Sequence, residues 1–216
     1  NVQLAISGDV VMTEELQKAM GDIFDARVPG PWLRTPAGDE FSWLSPSLGP
    51  WFAGLQERDA QLRSWINDGA PNSYWMTGFF NPQAFLTAMK QTVARKHKWA
   101  LDAVDYDVEV KEMAGAQAVR AAAEEGVFVH GLFIEGARWN ANFKSRDGKK
   151  GSLDELQGKQ RVDSLPVIRI TVVKASAAES HANSSSVYMC PLYRYARRTD
   201  LHIVFSAPLN TLVEGK

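Results

Sequence analysis

Chemistry in this chain would rest on a small set of side chains. His130 and Glu135 lie inside "GVFVHGLFIEGARWN", residues 126–140, and they are types that general acid–base catalysis or a metal site uses. Read as one strand, the run points residues five apart to opposite faces, which removes them as a direct acid/base pair. Gly131 and Gly136 in the same run would allow a bulge where a small barrel curves. The other histidines, His97, His181 and His202, are scattered. No pair has the His-Glu-x-x-His or His-x-x-x-His spacing that gathers zinc ligands. One arrangement stays open: His130 and His202 meeting across adjacent strands with Cys190 nearby would make a metal site or a Cys/His nucleophile. Against it, Cys190 is the single cysteine and sits between Met189 and Pro191, the setting of an ordinary buried thiol.

Phosphate chemistry has less support. Gly148-Lys149-Lys150-Gly151-Ser152 offers lysine and serine, but lacks the leading glycine and the strand-to-helix context of a phosphate loop. A basic hairpin turn is the better reading. There is no G-x-G-x-x-G fingerprint. The sequence therefore predicts no catalytic, cofactor or metal residues.

The elements that would position such residues follow from pattern. The chain has 216 residues, 45% hydrophobic and 23% charged, enough for a real core. Its net charge of -1 argues against a nucleic-acid or anionic-membrane partner. No apolar run approaches the roughly 18 residues that span a bilayer. The chain opens on Asn1, without an initiator methionine, and reads as a segment of a longer polypeptide.

Leu16, Ala19, Met20, Ile23 and Phe24 form one helical face behind a Thr13 cap. Prolines crowd the stretch from Pro29 to Pro50, which predicts an ordered wrapping loop. A helix over about 47–67 has Leu48, Trp51, Phe52, Leu55, Leu62, Trp65 and Ile66 in one stripe. Another opens at Asn81-Pro82, with Phe85, Leu86, Met89 and Val93 inward. Beyond Leu101 the period changes to two, and strands are expected at 108–111, 127–134, 165–174, 187–195 and 201–206. The predicted fold class is α+β: a helical subdomain over 1–100, then a small antiparallel β-barrel or sandwich over 101–216.

Aromatic residues are the unusual feature. Six of the seven tryptophans fall in the helical half, and "SYWMTGFFNPQAF" concentrates Tyr74, Trp75, Phe79, Phe80 and Phe85 around a helix start. A helical subdomain of this size has limited interior. Trp75, Phe79, Phe80, Asn81, Pro82 and Phe85 are therefore the candidate docking surface for another protein body. Packing of each ring in the core stays open beside that reading.

Four stretches in order, "WMTGFFNPQAFLTAMKQTVARK", "GVFVHGLFIEGARWN", "LPVIRI" and "YMCPLYRYARRTD", resemble the C-terminal domain of dynein heavy chains. The forms "VHGLFIEGARW" and "CPLYRYARRTD" are most similar to axonemal, including outer-arm, chains. Residues 1–30 resemble the segment that enters this domain from the last AAA+ module. The resemblance implies a non-catalytic regulatory domain, helices plus a small barrel, that braces the AAA+ ring of its own heavy chain and tunes force, processivity and ATPase coupling. ATP and Mg would belong to AAA+ modules elsewhere. Microtubules would be met only through other parts of the motor, beside other dynein subunits. The implied location is the ciliary or flagellar axoneme, with cytoplasm as the alternative. The family carries a further apolar segment at its end, so the final strand is expected to be missing here. Two other readings remain: a free-standing β-barrel binding a carbohydrate or small ligand through Trp139 and the Cys190 strand, and a Cys/His hydrolase.

Overall fold

A computed structural model describes residues 1–35, 37–38, 47–111, 113, 115–144, 150–155, 162–175, 187–196 and 202–210. The chain divides into two compact units, residues 1–63 and 64–216.

The first unit is helical. Helix α1 covers Val2–Ile6 and α2 covers Glu14–Phe24. Thr13 caps α2, its hydroxyl accepting from the Leu16 amide at 3.2 Å, and Glu14 and Glu15 sit where the helix dipole favours anions. A 3-10 turn, Gly30–Leu33, brings Trp32 onto Trp51, with ring centroids 5.7 Å apart. Trp51 belongs to α3, Leu48–Asp68, whose length matches the 47–67 expectation. Its apolar stripe is only partly used, because Trp51 is buried while Phe52 and Ile66 stay exposed. The part of the proline-rich stretch that includes Trp43 lies outside the described residues.

The second unit holds the sheets and helix α4, Pro82–His97. The Asn81 side chain accepts from the Ala84 amide at 2.9 Å, and Pro82 takes the first turn, where its missing donor costs nothing. Leu86, Met89, Val93 and Ala94 recur at helical spacing and are buried. Arg95, Lys96 and His97 close the helix at its negative end.

One sheet has the order β1 (Ser73–Trp75), β3 (Gly126–His130), β8 (Ile168–Lys174), β2 (Val104–Val110). The second has the order β10 (Ile203–Asn210), β9 (Val187–Tyr193), β4 (Phe133–Glu135), β7 (Val162–Ser164). A hairpin, β5 (Ala137–Lys144) with β6 (Lys150–Glu155), stands beside them. Met76, Val129, Leu132, Ile134, Ile168 and Ile170 meet Leu192, Val204 and Leu209 in one core, against the inner face of α4. The architecture is α+β as expected, and among the described residues the sheets are sandwich-like and do not form a closed barrel.

Three readings of the strands change. The run 127–134 is not one strand: it breaks at Gly131, with β3 in the first sheet and β4 in the second. The strand expected from Leu165 starts at Ile168, past Pro166, which cannot donate to a ladder. β1 lies inside the half read as helical; it pairs parallel with β3, Tyr74 opposite Val129. Three residues without alternation on a long stretch leave little periodic signal.

Gly131 makes the break possible. Its φ is +77°, and a Cβ there would collide with the indole of Trp75. Thr77 reinforces the corner: its hydroxyl lies 2.7 Å from the Gly131 carbonyl and 2.9 Å from that of Arg194, which follows β9. The Leu165 amide donates to the Leu132 carbonyl at 2.8 Å. Gly131→Ala should therefore destabilise the protein by about 2–4 kcal/mol, from left-handed strain plus overpacking. Denaturant titration checks this. In a double-mutant cycle, Trp75→Ala should recover about 1 kcal/mol or more of the loss; strictly additive losses would mean that the indole does not constrain the corner.

Candidate functional site

The aromatic stretch runs from β1 through a buried 3-10 turn, Met76–Gly78, into α4. Strand alternation sends Tyr74 inward and Trp75 to the opposite face. Tyr74 meets Trp65 at 5.1 Å and Phe85 at 4.8 Å between centroids, and Phe79 stacks on Phe85 at 4.4 Å. Trp65 is also edge-on to Phe79 and Phe85. Burial pushes the Tyr74 phenol above its ordinary value. Of the six candidate docking residues, Phe79 and Phe85 are thus built into this cluster, and Trp75 lies over Gly131. Pro82 is buried, while Asn81 is exposed with its side-chain oxygen engaged as a cap. Phe80 is the large apolar side chain of the six that is more than half exposed, at 52%. Trp65 joins the cluster from α3, nine residues or more from its partners, so linear spacing gave no sign of it.

The histidines do not converge. His130 ends β3, where its Nδ1 lies 2.8 Å from the Ser73 hydroxyl on neighbouring β1, and burial lowers its pKa. Glu135 is on β4 in the other sheet. The bend at Gly131 separates this pair, a stronger reason than strand alternation. His202 is buried just before β10, edge-on to Tyr195 at 5.0 Å. β3 and β10 are in different sheets, which corrects the expectation that His130 and His202 meet across adjacent strands. His181 and the Gly148-Lys149 part of the basic turn lie outside the described residues. Trp139 packs on Gly151 across the β5–β6 hairpin, where a Cβ would collide with the indole. Among the described residues, no three of His, Cys, Asp and Glu gather as metal ligands. No described helix is long and apolar enough to cross a membrane.

Cys190 is 3% exposed on β9, and burial pushes its thiol up to about 11. A thiolate so disfavoured is a poor nucleophile. In the folded protein at pH 8, a soluble disulfide reagent should modify Cys190 on the order of a hundredfold more slowly than in denaturant, from the ionisation difference alone. Equal rates would restore the reactive-thiol reading.

A charge cluster ties α4 to the entry of β3. His97 Nε2 lies 2.5 Å from Glu125 Oε1, Lys96 Nζ lies 3.5 Å from the same oxygen, and His97 stacks on Trp99. The hydrogen bond from His97, then the charges of His97 and Lys96, hold the Glu125 carboxyl below its ordinary 4.5. A depressed carboxylate stabilises the fold above its unfolded pKa, and that contribution fades as pH falls through the folded value. Melting curves of Glu125→Gln should lie below wild type at pH 7 and converge with it under about pH 4, the region of the carboxylate pKa. A constant offset would assign the loss to packing.

Comparison with known proteins places these features in a family. The family model for the C-terminal domain of the dynein heavy chain matches residues 1–215. "Dynein axonemal heavy chain 8" of Mus musculus is 41% identical over 99% of this chain, and "Dynein axonemal heavy chain 5" of Mus musculus is 40% identical over 97%. "Dynein gamma chain, flagellar outer arm" of Chlamydomonas reinhardtii is 38% identical over 98%. The matched region spans 4% of the length of each of these relatives. The four sequence stretches supply the Gly131 corner, much of the core and the start of α4, and the match extends over nearly every residue. The chain belongs to the family of C-terminal domains of dynein heavy chains.

Proposed function

We propose that this domain is a non-catalytic brace on the AAA+ ring of an axonemal dynein heavy chain, tuning force, processivity and ATPase coupling. The observation that carries this reading is the family match over residues 1–215, within relatives of which this sequence is a small part and whose names place them in axonemes or flagellar outer arms. In this reading the ATP- and Mg-dependent steps belong to AAA+ modules elsewhere in the polypeptide, and microtubules and other dynein subunits are met through the assembled motor. Residues 1–30 continue from the last of those modules, and the place of action is the ciliary or flagellar axoneme.

A brace acts by contacting one ring conformation better than another, since only differential binding shifts an equilibrium. The architecture suits that role. The aromatic cluster of Trp65, Tyr74, Phe79 and Phe85 fixes the start of α4 and so fixes where Phe80 projects. Phe79 and Phe80 therefore separate support from contact. Phe79→Ala should lower the stability of the domain by about 3 kcal/mol, as loss of a packed phenylalanine does. Phe80→Ala should leave the melting transition within about 0.5 kcal/mol, as at an ordinary surface site. In the full heavy chain the same Phe80→Ala should change stall force or microtubule-stimulated ATPase. Unchanged motor output with an intact fold would remove Phe80 from the docking surface.

A further inference from the structure

No acidic residue occurs between Asp68 and Asp102, a stretch that contains Lys90, Arg95, Lys96 and Lys98. In a chain of net charge -1 this is a local excess of one sign. The fold brings a further cation to it. Lys174 lies opposite Val104 at the end of the β2–β8 ladder, and Tyr106, two residues along β2, is on the same face. Lys90 on α4 meets that face, its Nζ 5.2 Å from the centre of the Tyr106 ring. Lys174 Nζ sits 5.6 Å from the centre of the Trp99 ring, on which His97 stacks. Lys90 and His97 are seven residues apart, about two turns, and so share a side of α4. The result is a row of cations along the seam of α4 and β2, continued past the helix end by Lys98.

Glu125 is the carboxylate that enters the row, and its Oε1 is already held by His97 and Lys96. Among the described residues, no carboxylate lies within ion-pair distance of Lys90, Arg95, Lys98 or Lys174. Asp102 and Glu124, exposed acids close in sequence, pair with none of them. Asp105 and Asp107 alternate to the opposite face of β2. Lys96, Lys98 and Lys174 are exposed.

We propose that this row binds an extended acidic peptide segment, rich in glutamate or aspartate, of a partner protein. The spread of the charge selects that chemistry. Lys90 and Lys98 are separated by about 12 Å of helix rise. Alternate side chains of an extended peptide recur about every 7 Å, so three carboxylates on one side span the row. A compact phosphate group would concentrate its charge near the C-terminal end of α4, where the helix dipole repels anions. Nucleic-acid bases would need open ring faces to stack on. Here His97 and Lys174 occupy Trp99, and Lys90 covers Tyr106. The same contacts hold two lysine stems in place, which lowers the ordering cost of binding. Phe80 precedes the start of α4 and the row lies towards its end, so this surface is separate from the one assigned to the brace.

A fluorescein-labelled deca-glutamate peptide tests the proposal on this chain. Fluorescence anisotropy should show binding that weakens as salt is raised, and deca-glutamine should not bind. Lys98→Gln combined with Lys174→Gln should weaken binding about fivefold, on the scale of two exposed ion pairs. Lys18→Gln, at an exposed position of α2, should leave it unchanged. In the unsubstituted chain, deca-glutamate should slow acetylation of Lys98 and Lys174 but not of Lys18. Binding indifferent to the paired substitution, or protection spread evenly over all lysines, would overturn the proposal. So would a deca-thymidine single strand that binds more tightly and is weakened equally by the paired substitution, because the row then reads phosphates.

Discussion

The second unit depends on one corner. At Gly131 the chain leaves the first sheet and enters the second within a few residues, so a single apolar run supplies the interior of both. The turn needs a positive φ, and the indole of Trp75 occupies the space a side chain would need. Thr77 then holds two carbonyls, one on each side of the corner. A hydroxyl has one proton to donate, so the bond is shared between them. Because such groups are buried, leaving the carbonyls unmet would cost on the order of 1–3 kcal/mol. Sheet order, the position of β9 and the burial of Ile134 and Leu192 all follow from this turn holding its geometry.

The same corner keeps the two suggestive side chains of that stretch from forming a pair. His130 and Glu135 are close in sequence, yet each ends a strand in a different sheet. The histidine is paired with Ser73 and kept below its ordinary pKa by burial, so it sits neutral in a cross-strand contact. Cys190 is likewise an interior group. Glu125, by contrast, is placed to join α4 to β3.

Local signals were legible and non-local ones were not. Thr13 and Asn81 cap helices as their types and positions dictate, and the period of two after Leu101 marks real strands. Each depends on neighbours within one turn or one pleat. What the sequence hid depends on distant partners. β1 is a strand because β3 lies beside it, and Trp65 is an aromatic-cluster residue because α3 delivers it to Tyr74. Gly131 reads as a bulge from sequence; that it breaks the strand between two sheets follows only once Trp75 lies above it. The candidate docking set could not be divided from sequence for the same reason: Phe79 and Phe80 are adjacent in sequence and opposite in exposure, and only the position of Phe85 tells which ring faces inward.

This division bears on how the domain would act on a motor in the proposed reading. The stretches that carry the resemblance build the corner, much of the core and the Phe79–Phe85 stack, and they also contain the exposed Phe80. Rigidity is what a brace requires, since a compliant body would absorb a shift at its docking face instead of opposing it. The surfaces that the proposed reading leaves to meet a partner, Phe80 among them, are by contrast exposed. Their consequences depend on what they touch. Under the proposed brace, variation there would change the strength of coupling to the ring while leaving the fold intact, whereas variation at Gly131 or Thr77 would remove the body that transmits it.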